Sequence, residues 1–329
     1  MSASAHWKDR PEGGSPLAYR VIAFIAQRGG RGVARLARYP IVAYYLLMRG
    51  PERRASRAWL ARALERAPSL FEVARHIHTF AATILDRVYM LSRGMDGFAV
   101  DVRGLDSLDP YLERGQGVLL FGSHLGSFEA LRVLARRRPQ LQVKVVLDRG
   151  HNAALMRMLD ALDPQIAANV IDAGQDGPSI VLQIKHAVDH GAIVAMLVDR
   201  AGPGEPVQAA RFFGAPARFP TSPWLVAAAL KLPVVLAFGL YRGGARYELA
   251  FESFEPALHI ERRERPARLA ALVQRYAERL QHHARSAPYN WFNFYDFWHA
   301  DDASHVPPDA ALPDAGPAAG RDVAARRAG

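Results

Sequence analysis

"LLFGSHLGSFEALR", residues 119–132, is the stretch that decides the fold. Its apolar start belongs to the run GVLLFG over 117–122, which is typical of a compact, fully buried strand. The following SHLGSFEALRVLARRR predicts a helix that Pro139 ends. A buried strand that leads directly into a helix is the repeating unit of a parallel sheet. His124 and Glu129 stand where the predicted strand gives way to the predicted helix.

Further strands are predicted along the chain, and they alternate with helical segments. Short apolar runs at 142–148, 168–174 and 192–199 are separated by amphipathic stretches. Residues 200–220 are rich in glycine and proline, and we expect them to form a loop. The sequence thus predicts an α/β fold: a mainly parallel sheet flanked by helices, with an α-helical N-terminal region.

Three regions are expected from the changes in sequence pattern. Residues 1–93 carry helical periodicity and form the N-terminal region, and residues 94–300 form the α/β domain. Residues 301–329 are rich in Ala, Pro, Asp, Gly and Arg without an apolar pattern, so we expect a disordered tail.

Composition limits the classes of partner and of site. The chain has 329 residues, a formal net charge of +10 and no cysteine. The absence of cysteine excludes disulfides and Cys-ligated metal centres. The positive charge favours an anionic partner: nucleic acid, an anionic bilayer or an acidic carrier protein.

Two apolar segments near the N-terminus, at 17–27 and 39–48, are separated by an arginine-rich stretch. Neither segment reaches the roughly 20 apolar residues of a membrane-spanning helix, and no signal peptide is evident. The pattern suits a helix pair that lies in a membrane interface, and it equally suits buried helices with solvated arginines.

His124 is the first candidate for chemistry. The stretch from Gly122 to Gly126 has the outline of the nucleophile elbow of serine hydrolases, but its central residue is histidine, which argues against a serine nucleophile. With His124 in the turn and Glu129 in the first helical turn, the two side chains are able to meet as a base and its carboxylate partner. The alternative is a histidine that caps the helix, with Glu129 placed favourably near the helix N-terminus.

Four blocks of the chain carry a resemblance to a known family. They are FGSHLGSFEALR (121–132), LVDRAGPGEP (197–206), RFFGAPARFPTSPWLVAAALKLPVV (211–235) and PYNWFNFYDFW (288–298). In order and approximate spacing they resemble the lipid A biosynthesis acyltransferases, the lauroyl/myristoyl-transferase branch of the lysophospholipid acyltransferase-like superfamily. The resemblance covers roughly residues 10–299.

The resemblance implies transfer of a fatty acyl chain from an acyl-carrier-protein or coenzyme A thioester to a hydroxyl of a lipid A-type or other lipid. It makes His124 the general base and Glu129 its orienting partner. It implies no metal and no cofactor beyond the thioester co-substrate, and it places the protein peripherally on the cytoplasmic side of the bacterial inner membrane. The substrate-binding candidates are Gly122, Ser123, Gly126, Arg149, Asn152, Asp199, Arg200, Phe212 and Phe213.

Several of these candidates have two interpretations. Backbone N–H groups near Gly122–Gly126 and the side chain of Arg149 are candidates to stabilise an oxyanion. Asp199 and Arg200, at another strand end, either orient a polar group of the substrate or form a surface ion pair. Phe212 and Phe213 either line an acyl-chain site or pack in the core.

Two other functions remain open on the sequence alone. One is a specialised acyltransferase that acts on a lysophospholipid, an aminolipid or a lipid-like secondary metabolite. The other is a basic membrane-binding or nucleic-acid-binding protein without enzymatic activity. Nucleic acid is the less favoured partner, because no helix-turn-helix or RNA-binding signature is present.

Overall fold

The computed structural model describes residues 35–36, 38–131, 141–150, 169–202 and 204–298. Three helices come first in this part of the chain: α1 (Arg38–Met48), α2 (Gly50–Ala63) and α3 (Leu70–Arg93). The start of α3 is fixed by a capping box, in which the Ser69 hydroxyl accepts the backbone N–H of Glu72 and the Glu72 carboxylate accepts that of Ser69.

Strands and helices alternate after α3. The strands are β1 (Ala99–Arg103), β2 (Val118–Gly122), β3 (Val143–Leu147), β4 (Val170–Asp172), β5 (Ile193–Leu197), β6 (Val207–Phe212), β7 (Ala215–Pro220), β8 (Val234–Tyr241) and β9 (Arg246–Glu255). The later helices are α4 (Asp109–Glu113), α5 (Gly177–Asp189), α6 (Ser222–Ala229) and α7 (Arg265–Ser286), with short 3-10 helices at Leu105–Ser107 and Phe128–Leu131.

Among the described residues, seven strands form one mixed sheet in the order β1-β9-β8-β2-β5-β3-β4. Only the β8–β9 pair is antiparallel within this sheet; its other neighbours run parallel. The central strand β2 is buried along its whole length, which explains its uninterrupted apolar sequence. The predicted fold class, a mainly parallel sheet flanked by helices with an α-helical N-terminal region, is confirmed.

The expectation of a loop over 200–220 is wrong from Val207 onwards. Strands β6 and β7 form a separate antiparallel hairpin. Its two turn residues, Phe213 and Gly214, both have positive φ, at 49° and 78°, as a two-residue hairpin turn of the primed type requires. The glycine at the second turn position adopts this conformation without steric cost, and the hairpin packs against α7.

The helix expected over 123–138 is wrong for its first five residues, because Leu125 and Gly126 form β-bridges to Trp291 and Gly239 instead. The rest is described only over the short 3-10 helix Phe128–Leu131, since residues 132–140 lie outside the described part. The apolar segment 17–27 and the tail 301–329 also lie outside it, so the predictions about them stay predictions, as does the division of the chain into regions. No helix in the described ranges is long and apolar enough to cross a membrane.

Two glycines, Gly126 and Gly239, allow the turn that carries His124 (residues 123–127, called the His124 turn) to lie in close contact with β8. The Ser127 N–H donates to the Gly239 carbonyl at 2.7 Å. A Cβ at Gly126 would lie 1.9 Å from the Gly239 oxygen, and a Cβ at Gly239 would lie 2.1 Å from the Ser127 oxygen. Real contacts of this kind never come so close, so both positions must be glycine for the turn to sit where it does.

Replacing Gly239 with alanine should therefore destabilise the protein, by about 1–3 kcal/mol or more, because backbone atoms must move to admit the methyl group. Thermal unfolding followed by circular dichroism measures this. Gly177→Ala is the matched control: its Cβ would meet nothing within 4 Å, so its midpoint should stay close to that of the native chain. Equal midpoints for Gly239→Ala and the native chain would contradict this account of the turn.

Candidate functional site

Two neighbouring parallel strands bring His124 and Asp199 together. Gly122 at the end of β2 pairs in register with Leu197 at the end of β5. His124 and Asp199 each follow two residues after these positions, so they leave the sheet side by side. This is the carboxyl edge of the strands, where open α/β sheets bind their ligands.

Asp199 is fully buried and receives three hydrogen bonds. Its Oδ1 accepts from Nδ1 of the His124 ring at 2.8 Å. Its Oδ2 accepts from the His124 backbone N–H at 3.1 Å and from the indole Nε1 of Trp291 at 3.2 Å. An ionised carboxylate only accepts hydrogen bonds, so the hydrogen of the neutral His124 ring must lie on Nδ1.

The second ring nitrogen of His124, Nε2, is not used in the contact with Asp199. Nε2 then carries the lone pair, and in the described part of the chain no side chain or backbone group binds it. The His124 side chain keeps 36 % of its surface exposed, whereas its partner Asp199 is 0 % exposed. Asp199 therefore fixes the Nδ1 side of the ring, while part of the ring stays accessible to solvent.

Burial and two cations determine the charge state of the pair. Burial lowers the pKa of His124, and the positive charges of Arg200 and Arg87 lower it further, against the opposing effect of Asp199. Burial alone would raise the pKa of Asp199, but the contacts with His124 and the charge of Arg200 outweigh it and lower the pKa to about 2. At neutral pH the site therefore holds a neutral imidazole beside an ionised carboxylate.

The predicted contact between Glu129 and the His124 ring is not formed, because Asp199 occupies the ring nitrogen that Glu129 was expected to bind. Glu129 lies on the 3-10 helix and faces α3. Its Oε1 pairs with Nε of Arg87 at 2.6 Å, and its Oε2 accepts the Ser127 hydroxyl at 3.0 Å. Glu129 is thus the partner of Arg87, and the described residues show no contact between Glu129 and His124.

Arg200 lies beside the pair rather than on the surface. Its Nε is 3.9 Å from Asp199 Oδ2, its Nη2 donates to the Phe292 carbonyl, and its guanidinium packs over the Tyr295 ring. Because Asp199 is fully buried, the alternative of a surface ion pair is wrong. The role of Arg200 towards a substrate stays a prediction.

The backbone around Gly122 and Gly126 is largely used within the protein. The Gly122 carbonyl accepts the Val198 N–H and the Tyr276 hydroxyl. The N–H groups of His124 and Gly126 donate to Asp199 and to the Asn290 carbonyl. These two groups therefore have partners and are poor candidates for an oxyanion hole, while Ser123, buried between Gly122 and His124, stays a candidate.

Arg149 follows β3, which is separated from β2 by β5. Its backbone N–H donates to Asp172, and the structure shows no contact between this residue and His124. Asn152 lies outside the described residues. No group of three or more His, Asp and Glu side chains suited to a metal ion occurs in the part of the chain that the structure describes.

Phe212 and Phe213 belong to a buried aromatic cluster. Phe212 is completely buried and lies edge-to-face against Trp291, at 5.3 Å between ring centres. Phe213 lies edge-to-face against Trp59 at 4.9 Å. Core packing is therefore the interpretation that the structure supports, and the predicted acyl-chain wall stays a prediction.

Trp291 and Arg87 are site residues that sequence reasoning did not assign. Trp291 is part of a dense aromatic run whose pattern indicates only burial or a membrane-facing belt. Arg87 is one of several charged residues on an amphipathic helix, and only the packing of α3 on the His124 turn shows which of them faces the site. Trp291 lies in the block 288–298 that carries the family resemblance, but the sequence does not indicate what its indole binds, and no local signal distinguishes Arg87.

The assembled site contains a neutral imidazole backed by an ionised carboxylate, with two guanidinium groups close to it. Such a site takes a proton from a hydroxyl group and stabilises negative charge as it develops. A search of the curated proteins gave no significant match. The model of the bacterial lipid A biosynthesis acyltransferases matches residues 73–300, which is more than half of the chain and includes His124, Asp199 and Trp291. The protein therefore belongs to the bacterial lipid A biosynthesis acyltransferase family and is an acyltransferase.

Proposed function

We propose that this acyltransferase moves a fatty acyl chain from an acyl-carrier-protein or coenzyme A thioester to a hydroxyl of a lipid A-type acceptor, with His124 as the general base. The observation that carries the proposal is the hydrogen bond of 2.8 Å from His124 Nδ1 to Asp199. It leaves Nε2 as the basic nitrogen and orients it away from the buried carboxylate. No metal or cofactor besides the thioester takes part.

The proposed reaction has two proton transfers. Nε2 removes the proton of the acceptor hydroxyl as its oxygen attacks the thioester carbonyl. The tetrahedral intermediate then collapses, the C–S bond breaks, and the imidazolium returns its proton to the departing thiolate. Asp199 stabilises the transient imidazolium, and no covalent acyl-enzyme is needed, because holding the hydroxyl next to the thioester supplies much of the rate.

In this mechanism Arg87 and Arg200 would stabilise the negative charge that develops during the reaction. Their positive charges lower the pKa of His124, which supports a position near the atoms that would react. A cation in that position stabilises the oxyanion of the tetrahedral intermediate or an anionic group of the substrates. Glu129 serves the reaction indirectly, since its ion pair with Arg87 holds that guanidinium beside the site.

Replacing His124 with alanine should lower the rate of transfer by about 10²–10⁴-fold, because the group that takes the hydroxyl proton is lost. The assay measures the acylated product by mass spectrometry, with a purified lipid A precursor as acceptor and acyl-carrier-protein and coenzyme A thioesters as alternative donors. It also identifies which donor is used.

His186→Ala is the matched control, because His186 is an exposed histidine on α5. It should transfer at the native rate. Native-level transfer by His124→Ala would exclude His124 as the base, and absence of transfer by the native chain with either donor would exclude the proposed reaction.

We also propose that the protein binds peripherally to the cytoplasmic face of the inner membrane through its first helices. Large apolar side chains are exposed on α1 and on the first turn of α3. Among them, Leu47 is 78 % exposed and Phe71 is 77 % exposed. Exposed arginines stand nearby in the sequence: Arg54, Arg57, Arg66 and Arg75. Apolar side chains next to arginines are the combination that binds an anionic bilayer surface.

The double substitution Leu47→Asp and Phe71→Asp should weaken binding to anionic vesicles, because it removes apolar surface and adds negative charge. Sedimentation with phosphatidylglycerol-containing vesicles measures the bound fraction. Leu182→Asp is the control, since Leu182 is 66 % exposed but lies on α5. Equal binding by the double variant and the control would rule out this face as the membrane contact.

A further inference from the structure

We propose that Trp291 is a positioning residue that acts on His124 through Asp199: its indole N–H shares the negative charge of the Asp199 carboxylate and so limits how strongly that carboxylate attracts a protonated His124 ring. The inference rests on the proposed role of His124 as the base. Asp199 Oδ2 accepts two hydrogen bonds, from Trp291 Nε1 at 3.2 Å and from the His124 backbone N–H at 3.1 Å. Those contacts leave Oδ1 for the ring nitrogen at 2.8 Å.

The backbone of Trp291 is fixed to the turn that carries His124. Leu125 and Trp291 form an antiparallel bridge. On one side of the bridge the Phe292 N–H donates to the His124 carbonyl at 3.0 Å, and on the other the Gly126 N–H donates to the Asn290 carbonyl at 2.8 Å. Trp291 therefore binds the His124 turn through its main-chain neighbours and binds Asp199 through its side chain.

Helices α2 and α3 hold the same residue from the opposite side. The His76 Nε2 lies 3.0 Å from the Trp291 carbonyl, and its Nδ1 lies 2.8 Å from the Ser56 hydroxyl. A carbonyl oxygen only accepts, so Nε2 carries the hydrogen and Ser56 donates to Nδ1. Burial lowers the pKa of His76 to about 4, so this arrangement persists at neutral pH.

The ring of Trp291 has little freedom to turn. It is fully buried and lies edge-to-face against Trp59 at 4.6 Å and against Phe297 at 4.9 Å. The indole N–H groups of Trp59 and Trp298 donate to the backbone carbonyls of Pro288 and Phe212. Trp291 differs from these two because it donates to Asp199, a buried carboxylate. A hydrogen bond to a buried carboxylate changes the electrostatics of the site as well as the packing.

The charges that face the pair determine what loss of this N–H would do. Asp199, Arg200 and Arg87 act on His124, and Arg200, Tyr276 and Tyr295 interact electrostatically with Asp199. Without the indole donor, the His124 backbone N–H still holds Oδ2, so the carboxylate stays in place but shares its charge with one donor fewer. It then attracts the imidazolium more strongly, and the pKa of His124 rises.

The test replaces Trp291 with 3-benzothienylalanine, an isostere in which a sulfur atom replaces the indole N–H. The shape of the ring is kept, so its packing should be preserved. Nuclear magnetic resonance of protein labelled at the histidine Cε1 position gives the pKa of His124. The His124 resonance is identified as the one that is missing from the spectrum of His124→Gln. The proposal predicts an increase of about half a pH unit or more. The same isostere at Trp59, which is equally buried but donates to a carbonyl, should leave the pKa unchanged.

No increase at Trp291, or an equal increase at Trp59, would overturn the proposal. In an activity assay, the acidic limb of kcat/KM should move to higher pH by the same amount, with KM for the thioester unchanged. A second measurement needs no substitution at Trp291: in the native protein its indole N–H resonance should shift with the titration of His124, and the Trp59 resonance should not. A Trp291 indole N–H chemical shift that does not change as His124 titrates would also overturn the proposal.

Both resonance measurements are made without substrate, so they remain decisive if the native chain transfers no acyl group. Their failure therefore counts against the positioning role alone, whereas absence of transfer counts against the proposed function.

Discussion

The buried carboxylate of Asp199 is the constraint on which the site depends. A fully buried charge is stable only when hydrogen bonds replace the water that it has lost. Asp199 obtains them from the His124 ring, the His124 backbone and the Trp291 indole, which come from two distant parts of the chain. The need to satisfy this one group therefore fixes the positions of His124 and of the C-terminal segment, residues 288–298, together.

Around that carboxylate, separate elements each supply one requirement of the proposed general base. The parallel register of β2 and β5 sets the separation of the two residues. The close approach of Gly126 and Gly239 holds the turn against β8. Arg87 and Arg200 favour the neutral form of His124, which is the form that accepts a proton. The family match extends over all of these elements, from α3 to the C-terminal segment.

The sequence predicts the architecture well because the alternation of apolar strands and amphipathic helices is a local property. It also predicts that His124 and Asp199 both follow strand ends. It does not predict that they are partners, because this depends on which strands are neighbours in the sheet, and the paired residues Gly122 and Leu197 are 75 positions apart in the sequence. Glu129, only five positions from His124, is the more obvious partner in the sequence, but the 3-10 helix carries it towards Arg87.

The same limit applies to Trp291 and to the hairpin of β6 and β7. The direction of one indole N–H within a run of aromatic residues is decided by the packing of rings from three segments. The hairpin has the glycine and proline content of a loop, and its strands are recognisable only by their pairing and by their packing on α7.

The central claim is that Asp199, and not Glu129, is the carboxylate that activates His124. The most direct test compares the rates of acyl transfer by Asp199→Asn and Glu129→Gln with the same thioester and acceptor. This account predicts a loss of about 10²–10⁴-fold for Asp199→Asn, and a loss at least about tenfold smaller for Glu129→Gln. A loss for Glu129→Gln that equals or exceeds the loss for Asp199→Asn would contradict it.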